Sequence, residues 1–121
     1  MCSSDLQNKT LMLLSICIPT YNRADRLDDC LNSIVIASDA LCRSNLESYP
    51  FEVCVADNCS SDRTSEVVEH YKSVLSINYH RHSSNLGIPR NFLKVVDLAQ
   101  GEFCWLLGDD DLVTVQSLSR L

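Results

Sequence analysis

The 121-residue chain has few of the residues that interrupt regular structure: three glycines, three prolines and no stretch of low complexity. Disordered and collagen-like classes are thereby excluded. Long apolar runs are missing too. Leu11 to Ile18 is far too short to span a bilayer. One lysine precedes it, no small-residue cleavage site follows, and Pro19 comes directly after, so it reads as a strand rather than a signal peptide. Basic residues are outnumbered, 10 against 16 acidic ones, for a net charge of -6. That balance argues against a nucleic-acid binder, whose affinity rests on lysine and arginine. The seven cysteines are odd in number, irregularly spaced and without a C-x-x-C pair. Neither a zinc site nor a disulfide framework is expected from them; a reducing, cytoplasmic compartment is. G-x-S-x-G, P-loop and G-x-G-x-x-G signatures are absent from the sequence.

What is present alternates. Length predicts a single domain, residues 1–121, large enough to form a core without staples. Leu13 to Ile18 and Phe51 to Ala56 are short continuous apolar runs suited to buried parallel strands. Ile77 to His80 and Phe103 to Leu107 are weaker candidates of the same kind. Between them the period changes to that of a helix. Leu27, Leu31, Ile34 and Val35 form one apolar face; Val67, Val68, Tyr71 and Leu75 a second; Phe92, Leu93, Val96 and Ala99 a third. Ser61 or Asp62 is placed to cap the second helix, Pro89 to open the third and Gly101 to end it. Ser38 to Pro50 reads as a surface connection or insertion.

The sum, β-α-β-α-β-α-β, implies an α/β fold with right-handed crossovers and a parallel sheet. Ligands of such sheets bind beyond the carboxyl ends of the strands, where the strand order reverses. The polar clusters lie at those ends. With the order 3-2-1-4, Tyr21, Asp57 and the aspartates after the fourth strand converge on one crevice.

Asp109-Asp110-Asp111 is the sharpest of these clusters. Adjacent carboxylates repel and raise one another's pKa, and a hard divalent cation such as Mg²⁺ or Mn²⁺ removes the conflict. The alternative is a solvated acidic turn, or aspartates capping a further helix. Asp57 ends strand two, where a carboxylate accepts from a ribose or base, or simply caps a loop. Tyr21 can cover a base and Arg23 pair with a phosphate; equally, both can serve the surface of the first helix. Asn85, Gly87, Arg90 and Asn91 form the remaining cluster, with Gly87 suited to a positive φ. His70, His80 and His82 have no closely spaced partner and read as structural.

Four segments carry a family likeness: SICIPTYNR (Ser15 to Arg23), VADNCSSDRT (Val55 to Thr64), NLGIPRN (Asn85 to Asn91) and GEFCWLLGDDD (Gly101 to Asp111). Together they resemble the family 2 glycosyltransferases of the GT-A fold, over residues 12 to 113. Trp105 to Asp111 is most similar to the branch of abequosyltransferase-like and other O-antigen sugar transferases. The resemblance implies transfer of a sugar from a nucleotide-sugar donor to a saccharide or lipid-linked acceptor in polysaccharide biosynthesis. By the same resemblance, Pro19, Thr20, Tyr21 and Asp57 hold the nucleotide, with Arg23, Asn85, Arg90 and Asp109 beside it. The D-x-D element, here within Asp109-Asp110-Asp111, holds the divalent metal, with Asp110 and Asp111 as the expected ligands and Asp110 the first choice.

The chain departs from the family pattern in three places. Gly108 stands where the family has an aspartate, the Asn85 to Asn91 segment is short, and family members continue well past the D-x-D. The expected catalytic base and acceptor half therefore lie beyond Leu121. Two other readings follow from the same residues. One is a nucleotide-sugar-binding fragment without turnover; for the transferase reading, a lipid-linked acceptor is compatible with peripheral attachment at the inner face of the membrane. The other is a phosphatase, because Asp109-x-Asp111-x-Val113 resembles the nucleophile loop of haloacid-dehalogenase-like enzymes.

Overall fold

The computed structural model describes residues 13–43 and 50–119. Four strands and four helices alternate: β1 (Leu14–Thr20), α1 (Ala24–Arg43), β2 (Phe51–Asp57), α2 (Thr64–Tyr71), β3 (Ile77–Arg81), α3 (Ile88–Leu98), β4 (Phe103–Leu106) and α4 (Val115–Ser119). The strands form one parallel sheet in the order β3-β2-β1-β4. The expected α/β architecture and strand order are both observed. With all strands parallel, the loops that follow them lie together at the carboxyl edge of the sheet.

The apolar runs of β1 and β2 conceal an alternation of size. Leu14, Ile16, Ile18, Val53 and Val55 point to one face, where they pack with the buried stripe of α1 and with Val67 and Val68 of α2. Cys17, Cys54 and Ala56 point to the other, under Val95 of α3. That second face also holds a polar stitch. Ser15 Oγ donates to Glu52 Oε2 at 2.7 Å, the backbone N–H of Gln100 donates to the same oxygen, and that of Gly101 donates to Ser15 Oγ.

Several boundaries differ from expectation. Helix α1 continues through Ser38 to Arg43, because Ala37 and Leu41 extend its buried stripe; residues 44–49 lie outside the described set. Leu75 is buried beyond the end of α2. The apolar face expected for α3 is not its buried one. Asn91 and Val95 are buried, whereas Phe92, Leu93 and Val96 face outward, Leu93 with 67% exposure. Periodicity identifies the apolar residues, but the small side chains beneath α3 decide which of them is covered. Gly101 does not end α3, which closes at Leu98. It sits where a Cβ would come within 2.9 Å of the Leu14 carbonyl carbon and 3.0 Å of Ser15 N, so its role is close approach to β1. Strand β4 is one residue shorter than expected and largely exposed. The further helix that was one alternative for the triplet is present as α4. Thr114, not an aspartate, serves its start, accepting from the backbone N–H of Ser117 at 3.1 Å.

Candidate functional site

The loops that leave β1 and β2 fasten each other. Asn22, in the left-handed region at φ 50°, donates its backbone N–H to Ser60 Oγ and accepts from the N–H of Ser61 at 2.7 Å. The backbone N–H of Asn58 donates to the Thr20 carbonyl. Asp62 was expected to serve α2; it also caps α1, taking the Ala24 N–H on Oδ2 while Oδ1 accepts from the Thr64 N–H. Asn58 ties in the third loop, donating to Asn85 Oδ1 and accepting from the Leu86 N–H, both at 2.8 Å. Gly87 adopts φ 92°, as a glycine there was expected to do, and Pro89 opens α3.

This cross-linked edge frames a cleft of about 630 Å³. Pro19, Thr20, Tyr21 and Arg23 form one wall, Asn58, Asn85 and Asn91 the opposite end, and Gly108 and Asp109 the β4 side. Tyr21 is 44% exposed, its ring available to a ligand. Asp109 is buried, and Thr20 Oγ1 donates to its Oδ2 at 2.8 Å. Arg23 Nη1 stands 3.5 Å from Asp109 Oδ1 and 3.7 Å from Asp110 Oδ2. Burial lifts the Asp109 carboxyl above the usual carboxylate range; Thr20 and Arg23 oppose the rise and Asp110 adds to it.

Asp57 ends β2 as predicted and makes the loop-capping contacts given as the alternative to a ligand role; it is 0% exposed and is not among the residues that line the cleft. Its Oδ1 accepts from the Ser60 N–H and hydroxyl, and its Oδ2 from the Tyr79 hydroxyl at 2.7 Å. Burial, then this bond, pushes the Tyr79 phenol above its ordinary range. Arg90 is exposed on α3 and is not part of the cleft wall; Asn91, its neighbour, is. Asn22 and Asn58 stood in the polar clusters, and Ser60 among the turn formers, without an individual role being read for any of them. Their signal was the density of turn formers after β1 and β2, which does not reveal which loop each side chain serves.

Asp110 and Asp111 lie just outside the cleft. Asp110 borders a neighbouring hollow shared with Arg23 at the start of α1. Gly108 and Asp111 close a turn, the Asp111 N–H donating to the Gly108 carbonyl and the Gly108 N–H to Asp111 Oδ2, each at 3.0 Å. A Cβ on residue 108 would lie 3.0 Å from Asp111 Oδ2 and 3.1 Å from Asp110 Oδ1. Both carboxylates therefore curl against the same bare Cα, a cradle that an aspartate at position 108 would fill. Among the described residues, no group of three or more His, Cys, Asp and Glu side chains is placed to hold a metal ion. The donor set is thus two exposed carboxylates, not a protein cage. It fits a cation such as Mg²⁺, which takes one or two carboxylates and completes its shell with water and substrate phosphate. Asp109 has one oxygen tied to Thr20 and the other facing Arg23, which opposes its service as a phosphatase nucleophile.

The model of the family described as "Glycosyl transferase family 2" matches residues 15–121. The chain belongs to that family. Over 114 residues it is 42% identical to abequosyltransferase RfbV of Salmonella typhimurium, covering 91% of this chain and 32% of RfbV. It is 31% identical over 109 residues to the poly(ribitol-phosphate) beta-N-acetylglucosaminyltransferase TarS of Staphylococcus aureus, covering 89% of this chain and 18% of TarS. The crystal structure of part of TarS in complex with UDP-GlcNAc superposes with a TM-score of 0.76 at 29% identity, over 90% of this chain and 30% of that one. The chain thus spans about a third or less of the length of these relatives. Membership in this family, and not a phosphatase family, corrects the reading of Asp109-x-Asp111 as a nucleophile loop. No helix among the described residues is long and apolar enough to cross a membrane.

Proposed function

We propose that this chain is the donor-binding part of a glycosyltransferase that moves a sugar from a nucleotide-sugar to a saccharide or lipid-linked acceptor. The observation that carries the reading is the convergence of Thr20, Tyr21, Arg23 and Asp109 on one cleft at the carboxyl ends of β1 and β4. Family membership and the nucleotide-sugar in the related TarS structure support it.

In this reading Tyr21 and Pro19 cover the nucleoside. Asp57 acts as a positioning residue, holding Ser60 and hence Asn22 and the Tyr21 loop. Asn58 does the same for Asn85. Arg23, itself half-exposed, pairs loosely with exposed Asp110, a pair that contributes little, and its 3.5 Å approach to buried Asp109 is longer than an ordinary charge-assisted hydrogen bond. A donor diphosphate draws it away at small cost. Asp110 and Asp111 would hold a Mg²⁺ or Mn²⁺ ion, whose chemistry is to neutralise the departing nucleoside diphosphate. Arg23 would share that charge, and buried Asp109 would fix Thr20 in place. The base that activates the acceptor is assigned to the family's acceptor half. The alternative of a binding fragment without turnover uses the same residues. A cytoplasmic setting at the inner membrane face suits a lipid-linked acceptor, and the six described cysteines are free thiols.

The test is calorimetric titration with UDP, GDP, CDP and dTDP, with and without Mn²⁺, on the wild type and Asp110→Ala. One nucleotide is expected to bind in a Mn²⁺-dependent way, with at least a tenfold loss in the variant, about 1.4 kcal/mol. Absence of binding by every nucleotide to a folded chain overturns the donor-site reading.

A further inference from the structure

The face of the sheet beneath α3 gathers thiols that the donor site does not use. Cys17 of β1 and Cys54 of β2 are register partners, both fully buried, and pack together under Val95. Cys104 of β4 stands opposite Ser15, hence on the same face as Cys17, and is exposed. Cys17 Sγ lies within hydrogen-bond reach of both other thiols and donates to the Ser15 carbonyl at 3.6 Å. All three are free.

These thiols differ in readiness. Donation from the Cys54 thiol draws Cys17 below the ordinary thiol range; burial and Glu52 oppose this, and Cys104 adds to it. The same bond, with burial, pushes Cys54 up. Cys104 is raised by burial and then by the Cys17 charge, but its proton faces Cys17 Sγ, which is placed to receive it. By contrast Cys30, which donates to the Gly108 carbonyl, is pushed up to about 12 by burial and by Asp109, Asp111 and Asp110. The thiolate is the attacking species in disulfide exchange, so Cys17 is suited to attack and Cys30 is not.

Spacing decides which bond lasts. Paired strands lie about 4.8 Å apart, which sets the Cys17 and Cys54 Cα atoms within the span of a disulfide. Cys17 and Cys104 are offset by two residues on neighbouring strands, a Cα separation of about 8 Å, which no disulfide bridges without backbone movement. Strand β4 is four residues long and pairs on one side only, so it yields more readily than β1 or β2.

We propose that Cys17, Cys54 and Cys104 form a redox modification site, in which Cys104 reacts with a low-molecular-weight disulfide and the oxidation passes inward to a Cys17–Cys54 bond. Cys104 Sγ attacks one sulfur of the reagent, RSSR, as its proton passes to Cys17; a mixed disulfide forms and RS⁻ leaves. Cys17 gives that proton to RS⁻, and its thiolate attacks Cys104 Sγ and expels the second RS⁻. Cys54 then attacks Cys17 Sγ and passes its proton to Cys104 as the Cys17–Cys104 bond breaks. Two protein thiols are oxidised, and RSSR is reduced to RSH and RS⁻. The new bond joins β1 to β2 three residues before Thr20 and Asp57, and so fixes the spacing of the strands that carry the cleft edge.

The experiment incubates the reduced 121-residue chain with oxidised glutathione in the absence of denaturant, with circular dichroism confirming that it is folded. Remaining thiols are then alkylated in denaturant and the peptides mapped by mass. The expected end product is a Cys17–Cys54 linkage that a dithiol reductant reverses. In Cys104→Ser, at an exposed position, the same linkage is expected to form about tenfold more slowly. In Cys54→Ala, oxidation is expected to stop at Cys104, as its glutathione adduct or its bond to Cys17. Should Cys54→Ala fail to fold, the wild type and Cys104→Ser decide. A wild-type chain whose Cys17 and Cys54 are both still alkylated overturns the proposal, as does an end product that links Cys17 to any other thiol. A linkage that forms as fast in Cys104→Ser as in the wild type overturns it too, since the oxidation then enters elsewhere.

Discussion

On one face of the sheet, Ile16, Ile18, Val53 and Val55 meet Leu27, Leu31 and Ile34 in a continuous core. On the other, Cys17, Cys54 and Ala56 meet Val95 of a single helix. The thick face removes large branched side chains from water and so carries most of the apolar stabilisation. The thin face removes little, but its small side chains let α3 lie close enough for Asn91 to reach the Ala56 carbonyl. Stability and site geometry are therefore drawn from opposite sides of the same two strands. The thin face also leaves Phe92, Leu93 and Val96 outward.

The comparison breaks most visibly if the thick face is damaged. Leu31→Ala, at a fully buried position under the sheet, is expected to cost about 3 kcal/mol by lost transfer and a residual cavity. Urea unfolding checks it through a lower midpoint at unchanged slope. Nucleotide affinity of the fraction that remains folded is expected to be unchanged. A loss of affinity larger than the loss of stability would show that the two faces are not separable.

Gly101→Ala probes the thin face. The added methyl meets the backbone of Leu14 and Ser15, which cannot move without disturbing β1. We expect a loss of about 2 kcal/mol, in the range of overpacking strain. The same unfolding experiment checks it, and a neutral result would mean that the α3–β4 connection yields instead. A cost above that of Leu31→Ala would reverse the ranking of the faces.

These two positions also show what the sequence could and could not reveal. The apolar runs of β1 and β2 announce buried parallel strands, and right-handed crossovers order them, because both rules are local or topological. Thr20, Tyr21 and Asp109 were singled out for the same reason, because they stand at strand ends where such sheets bind ligands, and they line one cleft. Gly101 was misread because a glycine after a helix usually supplies a cap, whereas this one answers to a strand 86 residues earlier in the hydrogen bond to Ser15. The inward turn of Asp57 depends on Tyr79, 22 residues away, and the pairing of Asn58 with Asn85 spans 27. Non-local partners of this kind leave no mark in spacing. The outward face of α3 was hidden likewise, since periodicity shows an apolar stripe without showing what lies against it.

The smallest effect is expected at the junction of the two regions, at Asp109. Its carboxyl is raised above the ordinary range, burial being the largest cause. A raised native pKa means that the native state holds the proton more tightly than the unfolded chain does. The stability from that difference is complete below the unfolded value, near pH 4, and is lost as pH rises through the native value. At pH 7 the wild type therefore keeps a buried charge at some cost. Asp109→Asn retains an oxygen for the Thr20 hydroxyl, has no charge to bury, and no longer repels Asp110. The variant is expected to be more stable than wild type at pH 7 by less than about 1 kcal/mol, with the gap closing as pH falls towards 4. Unfolding midpoints across that range measure it. A variant less stable at pH 7, with the deficit shrinking on acidification, would show that attraction to Arg23 outweighs burial, and that Asp109 belongs energetically to the site rather than to the core beneath it.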